Sequence, residues 1–384
     1  MRAPGLCYNV PRVRDTRLDR HGELIAGYSL DLQPGEVVRI EGADVAEPLL
    51  YALYRAALRR GANPYLQVGM DRLSELKVAE GSDEQIAFVS QLEWDELEQL
   101  DAVATVWAER NTRSFTNADS ERYGRYLSAR RALSQRGWER IAGGDLRWCG
   151  TLQPVDAYAQ DAEMSIEEYE DFVYGACHVT GDDDPVEHWL GVSASLRQHA
   201  ERLEQVRELR VVGPDTDLTL GVAGRLWQKA DGRSNMPDGE VFTSPVESET
   251  RGEIRFGFPG VFEGREVADV RLRFEGGRVI ASEASRGVDF LRSLLEMDAG
   301  AAVLGELAFG LNYEIDRFTR NILFDEKIGG TIHVALGSSF AELGGRNESK
   351  LHWDLICDLR AEGEVYADGE LIWKQGRFLE GSDG

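Results

Sequence analysis

The apolar residues of this chain change their rhythm near residue 210, and that change limits the fold more than any single motif does. Before it, short runs rich in Val and Ile alternate with segments of helical spacing. PGEVVRIEG (34–42) predicts a turn and then a strand. Pro48 opens LLYALYRAALRR and Gly61 closes it, the asymmetry of a helix with Pro at its first turn and Gly past its end. PYLQVGM (64–70) and DAVATVWAE (101–109) read as further strands, and 121–141 as a helix. Ser165 and Glu168 form a capping box, and 193–206 is an amphipathic helix. Such alternation indicates an α/β domain with a largely parallel sheet.

After residue 210 the texture is different. DLTLGVAGRLW, GEIRFGFPGVF, REVADVRLRFEGGRVIASEA and GEVYADGELIWKQGRF are strand runs separated by glycine-containing turns. One long helical segment, GVDFLRSLLEMDAGAAVLGELAFG (287–310), is expected among them. The reading is therefore an N-terminal extension (1–21), an α/β domain (22–210) and a β-rich α+β domain (211–384), with the boundary near 211–217. No repeat or long linker separates them, so a cleft between the domains is the expected place for a small-ligand site.

Charge narrows the partners. The 68 acidic against 43 basic residues give a formal net charge of -25, a field that repels phosphate backbones and argues against nucleic acid. No apolar run is long enough to span a bilayer, and the N-terminal MRAPGLCYNVPRVR has no apolar core to direct export. Cys7, Cys149, Cys177 and Cys357 are too scattered for a zinc ribbon or a disulfide framework. Lysine is scarce, at positions 77, 229, 327, 350 and 374 only. With so many acids, a single Asp or Glu is weak evidence for a metal.

Histidine is the rarer signal: six in all, with only His333 and His352 in the β-rich half. His352 and Asp354 stand two apart in KLHWDLICDLR, so on a strand both leave the same face. Such a pair offers an imidazole and a carboxylate to one metal, or to neighbouring metals. A buried or surface-paired histidine is the ordinary alternative. Asp325 and Glu326 precede His333. Glu306 lies in the apolar LGELAFGLN, where an unpaired carboxylate is costly. Glu240 follows a Pro-Asp-Gly turn, a place equally suited to a surface glutamate. Carboxylates with imidazoles and no thiolate suit Zn²⁺, Co²⁺ or Mn²⁺ in a hydrolytic centre better than a structural zinc. Asp182-Asp183-Asp184-Pro185 with His188 reads as a solvated loop rather than a metal site, and the Asn347 sequon carries no weight without export. No GxSxG, phosphate-binding loop or GxGxxG is present.

The words NMPDGEVFTSPVE, GEIRFGFP, LGELAFGLN, NILFDEKIGGTIHVALG, GGRNESKLHWD and GEVYADGELIW resemble the thermophilic-aminopeptidase family of metallopeptidases, of the aminopeptidase T type. Weaker similarity runs through YSLDLQPGEVVRIEG and AYAQDAEMSIEEYEDF, so the resemblance extends over nearly the whole chain from about residue 22. It implies that Glu240, Glu306, Glu326, His333, His352 and Asp354 ligate two divalent ions. It also implies a homodimer that releases N-terminal residues from peptide substrates; the missing export signal makes a cytoplasmic enzyme the expectation, and Glu240 or Glu306 is the candidate to move the proton. One position departs from the pattern. The family places a catalytic tyrosine seven residues after its first histidine, and here that residue is Phe340. The ring remains while the hydroxyl is lost, so either slow turnover, rescue by Ser338 or Ser339, or a non-catalytic metal- or peptide-binding homologue is implied.

Overall fold

The computed structural model describes residues 15–262 and 264–379. Cys7 and most of the expected N-terminal extension fall outside them. In the first half, strands Asn63–Gly69, Val37–Ala43, Ala102–Trp107 and Arg147–Leu152 lie side by side in a parallel sheet. A two-residue strand, Asn235–Met236, joins the edge of that sheet from the second half of the chain. A parallel sheet is what the alternating sequence predicts, with three of its strands; Arg147–Leu152 is not among the expected ones. Helix Thr16–Leu24 passes through residue 21 and buries His21 and Leu24. His21 Nε2 lies 3.0 Å from Thr151 Oγ1. The expected helix over 121–141 is two helices, Ser120–Ala129 and Arg131–Ala142. The 193–206 helix begins earlier, at Pro185, with Asp184 capping its first turn. The acidic run is thus exposed up to a residue that has a structural task.

The second half is antiparallel. An eight-stranded sheet packs through a shared core with a smaller five-stranded one made of Gln228–Ala230, Glu240–Thr243, Leu304–Gly310, Thr331–Gly337 and His352–Asp358. Here the sequence reading needs a correction. The helix expected over 287–310 covers only Val288–Leu295, and LGELAFG is a strand with all seven residues buried. A strand covered on both faces has no polar alternation, so its apolar run cannot be distinguished from a buried helix by periodicity.

The register of this small sheet decides what shares a face. Glu306 pairs with Ala335, which also pairs with Asp354, and Ala308 pairs with His333. Glu240 pairs with Gly310, and His352 with Gly337. With a period of two, Glu240, Glu306, His333, His352 and Asp354 all leave one face, separated by Ala and Gly. Leu307, Phe309, Ile332, Val334, Leu336, Trp353 and Leu355 leave the other and fill the main core. A bulge between Leu304 and Glu306 accommodates Gly305, where a Cβ would stand 2.3 Å from the Ser338 carbonyl oxygen. Only glycine permits that approach.

Candidate metal centre

Five of the six expected ligands converge on that face. His333 Nε2 lies 3.5 Å from Glu306, 3.7 Å from Glu240 and 4.0 Å from Asp354. His352 Nε2 lies 3.2 Å from the other Glu306 oxygen and 3.7 Å from Asp354. Glu306, His333 and Asp354 each bring a donor atom within 4.8 Å of the others. The far nitrogens of both rings are fixed: His333 Nδ1 is 2.9 Å from the Glu326 carbonyl oxygen and His352 Nδ1 is 3.0 Å from that of Ser338. A carbonyl accepts only from N–H, so Nδ1 donates and Nε2 is the nitrogen turned to the carboxylates, the orientation a metal-binding imidazole needs.

The sixth residue, Glu326, has a different place. It caps the short helix Ile322–Asp325, and its carboxylate pairs with Lys327. Lys327, itself buried, also lies 3.5 Å from Glu240 and 3.8 Å from Asp238. Asp325 turns away, accepting from the backbone and hydroxyl of Thr319. Asp238 and Lys327 are members of the cluster that sequence reasoning passed over. A signal for Lys327 was available, because it is one of only five lysines and sits within an apolar and glycine-rich word.

The electrostatics follow from crowding charges in a dry place. Burial raises the carboxyls of Glu240 to about 8, Asp238 to about 7 and Asp354 to about 6. Burial opposes ionisation of Glu306 too, but the hydrogen bonds from His333 and His352 outweigh it and hold that carboxyl at about 2. Burial likewise disfavours the charged imidazoles, yet the surrounding carboxylates lift His333 to about 10 and His352 to about 9. Lys327 is raised as well, because Glu240, Glu326 and Asp238 together exceed the cost of burying its ammonium.

A divalent cation fits this donor set. Glu240 Oε2, Asp354 Oδ1 and Asp238 Oδ1 are buried without a hydrogen-bond partner. Orphaned carboxylate oxygens are rare in a core; those of Glu240 and Asp354 face the oriented imidazoles and suit a cation, while that of Asp238 lies on the Lys327 side.

Phe340 borders this cluster, its ring 5.5 Å from that of His352 and 5.3 Å from that of Phe242. Its backbone N–H donates to Ser244. The Ser339 hydroxyl is engaged with the Asn347 backbone. Beside Glu326 opens a cavity of about 410 Å³, walled by Trp107 and Tyr158 from the first half and Leu323 from the second.

Residues 14–378 match the family described as thermophilic metalloprotease (M29). The chain belongs to that family. M29 membership implies a divalent metal, and the cluster above is a candidate for its place. Aminopeptidase AmpS of Bacillus subtilis (strain 168) is 25% identical over 411 residues, covering 94% of this chain and 98% of that protein. Aminopeptidase T of Thermus aquaticus is 32% identical over 237 residues, 51% of this chain and 55% of that protein. Among solved structures, wild-type AmpT from Thermus thermophilus matches with a TM-score of 0.85 at 24% identity, over 95% of this chain and 99% of that one. A 2,5-dihydroxypyridine dioxygenase from Pseudomonas putida KT2440 matches with a TM-score of 0.57 at 14% identity, over 95% of this chain and 97% of that one. The fold is therefore shared with a protein named for a different reaction, and the chemistry has to be argued from the site. No helix among the described residues is long and apolar enough to cross a membrane.

Proposed function

We propose that this protein is a metal-dependent aminopeptidase in which Glu240, Glu306, Glu326, His333, His352 and Asp354 hold two divalent ions, zinc, cobalt or manganese. The observation that carries the reading is the convergence of two oriented imidazoles with partnerless buried carboxylate oxygens. Membership of a metalloprotease family and the aminopeptidase names of the relatives support it. Divalent ions bound there would supply positive charge that acidifies a water and polarises the substrate carbonyl.

The chain's own residues then have distinct tasks. Glu306 presents one oxygen to each imidazole and so orients both. Glu240 keeps one oxygen toward Lys327 while the other is unpartnered. Glu240 or Glu306 is the candidate to accept a proton from the attacking water and pass it to the leaving amine. Lys327 neutralises the Asp238–Glu240–Glu326 side, and the Glu326 and Ser338 carbonyls keep the imidazoles in register. Peptides are the substrates in this reading, and the working unit is a cytoplasmic homodimer.

The test is release of p-nitroaniline from leucine-p-nitroanilide after chelation and re-addition of Zn²⁺, Co²⁺ or Mn²⁺. Absence of hydrolysis with metal bound, across several aminoacyl groups, would reject the activity. A second reading rests on Phe340: a homologue that keeps metal and peptide binding and has lost turnover with the tyrosine hydroxyl. Phe340→Tyr separates the two. A rise of about 10²–10³-fold from a near-zero rate favours the non-catalytic reading, since that is the usual worth of one oxyanion donor. Little change means the hydroxyl is dispensable here.

A further inference from the structure

The cavity beside Glu326 does not end there. A second cavity of about 610 Å³ shares Glu109, Thr112 and Gly264 with the first, so the two form one cleft leading away from the candidate centre. Its far wall is an aromatic shelf, with Phe115 stacked on Tyr123 at 4.7 Å and on Tyr126 at 6.3 Å between ring centroids. An enzyme that removes one residue needs room for one residue on the amine side of the cleaved bond. A cleft of two successive cavities exceeds that, and fits the part of the peptide that leaves.

Glu109 stands at the junction and lines both cavities. Among the described residues no cation is paired with it. The nearby arginines are engaged elsewhere: Arg110 reaches Asp44 at 2.8 Å, Arg320 reaches Glu163 at 3.0 Å, Arg113 lies 3.9 Å from Asp161, and Arg265, which lines the second cavity, holds its guanidinium 3.8 Å from the Phe290 ring centroid. Partial burial raises the Glu109 carboxyl, and Asp71 and Asp161 raise it further. Glu109 is exposed to the cleft and is a carboxylate open to a cation brought by a ligand.

Resting on the aminopeptidase reading, we propose that this cleft binds the leaving side of the peptide and that Glu109 selects a basic side chain at the residue after the cleaved bond. Lys or Arg there supplies that cation, its aliphatic stem lies along Trp107 and Tyr158, and the chain beyond continues toward the aromatic shelf. An acidic side chain at the same position meets an uncompensated carboxylate.

The experiment compares Leu-Lys-Phe with Leu-Glu-Phe on the metal-loaded protein. The wild type is expected to favour the lysine peptide by about tenfold in kcat/KM, the swing from attraction to repulsion at a half-open site. Glu109→Gln should bring the ratio to within about twofold, and Glu109→Lys should invert it. A ratio near one in the wild type overturns the proposal, as does a ratio unchanged in Glu109→Gln. Binding of the same two peptides to the full chain after chelation reads the same ratio without turnover. If leucine-p-nitroanilide and both tripeptides are left intact while that binding ratio holds, the aminopeptidase reading fails and only the preference of Glu109 for a basic side chain stands. If leucine-p-nitroanilide is cleaved and the peptide ratios are flat, only the cleft assignment fails.

Discussion

His21 and His333 are both fully buried, one between the first helix and the parallel sheet, the other within the small antiparallel sheet. Their surroundings drive them in opposite directions. His21 faces the Thr151 hydroxyl and the Cys177 thiol, and burial alone pushes its imidazole down to about 4. His333 faces Glu240, Glu306 and Asp354, which overcome a similar burial and lift it to about 10. Without a bound cation, a buried histidine is therefore a neutral packing element in one half of the molecule and a charged partner in the other. The carboxylates around the ring decide which.

Glu306→Gln attacks the charged side of this contrast at the residue both rings share. Hydrolysis of leucine-p-nitroanilide should fall by more than about 10³-fold, beyond the usual loss for a single oxyanion donor. Metal content should fall with it, read by elemental analysis. Full metal with a normal rate would remove Glu306 from the centre. Next comes Lys327→Met, which leaves Asp238, Glu240 and Glu326 without their shared cation. Urea unfolding of the chelated protein should show a loss of about 3–5 kcal/mol. A change under about 1 kcal/mol would mean that these carboxylates need no ammonium.

The neutral side of the contrast is tested by acid. The unfolded chain takes up a proton on His21 near pH 6.5, whereas the folded protein does so only near 4. The contribution of His21 is therefore complete above about pH 6.5 and disappears as pH falls through 4, a loss of roughly 3 kcal/mol. His21→Leu should lack this component when unfolding free energies at pH 7 and pH 4.5 are compared. Equal acid sensitivity in the two proteins would contradict it. The smallest effect is the gain from metal. Zn²⁺ at about 100 times its dissociation constant should stabilise the chelated protein by about 2.7 kcal/mol. Because both imidazoles are held protonated, its uptake should release protons, detectable as a buffer-dependent heat of binding. Uptake without proton release would mean that the His333 and His352 rings are already neutral.

Much of this was legible beforehand. His352 and Asp354 lie on one strand face because a spacing of two guarantees it, and the parallel sheet follows from alternating periodicities. Glu306 stands out for its apolar neighbours, although the sequence alone suggests helix for its strand, since a doubly covered strand has no period to read. That Glu240 lies beside His333 was not visible at all. It depends on which strands are neighbours and in what register, which are long-range facts. Asp238 and Lys327 were missed for a related reason. An acid in a turn and a lone lysine look like surface residues until folding encloses them. Phe340 was placed by family resemblance, and the structure sets its ring beside His352.

Ala335 lies across from both Glu306 and Asp354. Its small methyl leaves the two carboxylates room to face each other across the strand. If they hold a cation, as proposed, a Val or Leu there would crowd that cation's place, so its fit depends partly on a residue with no ligand atom.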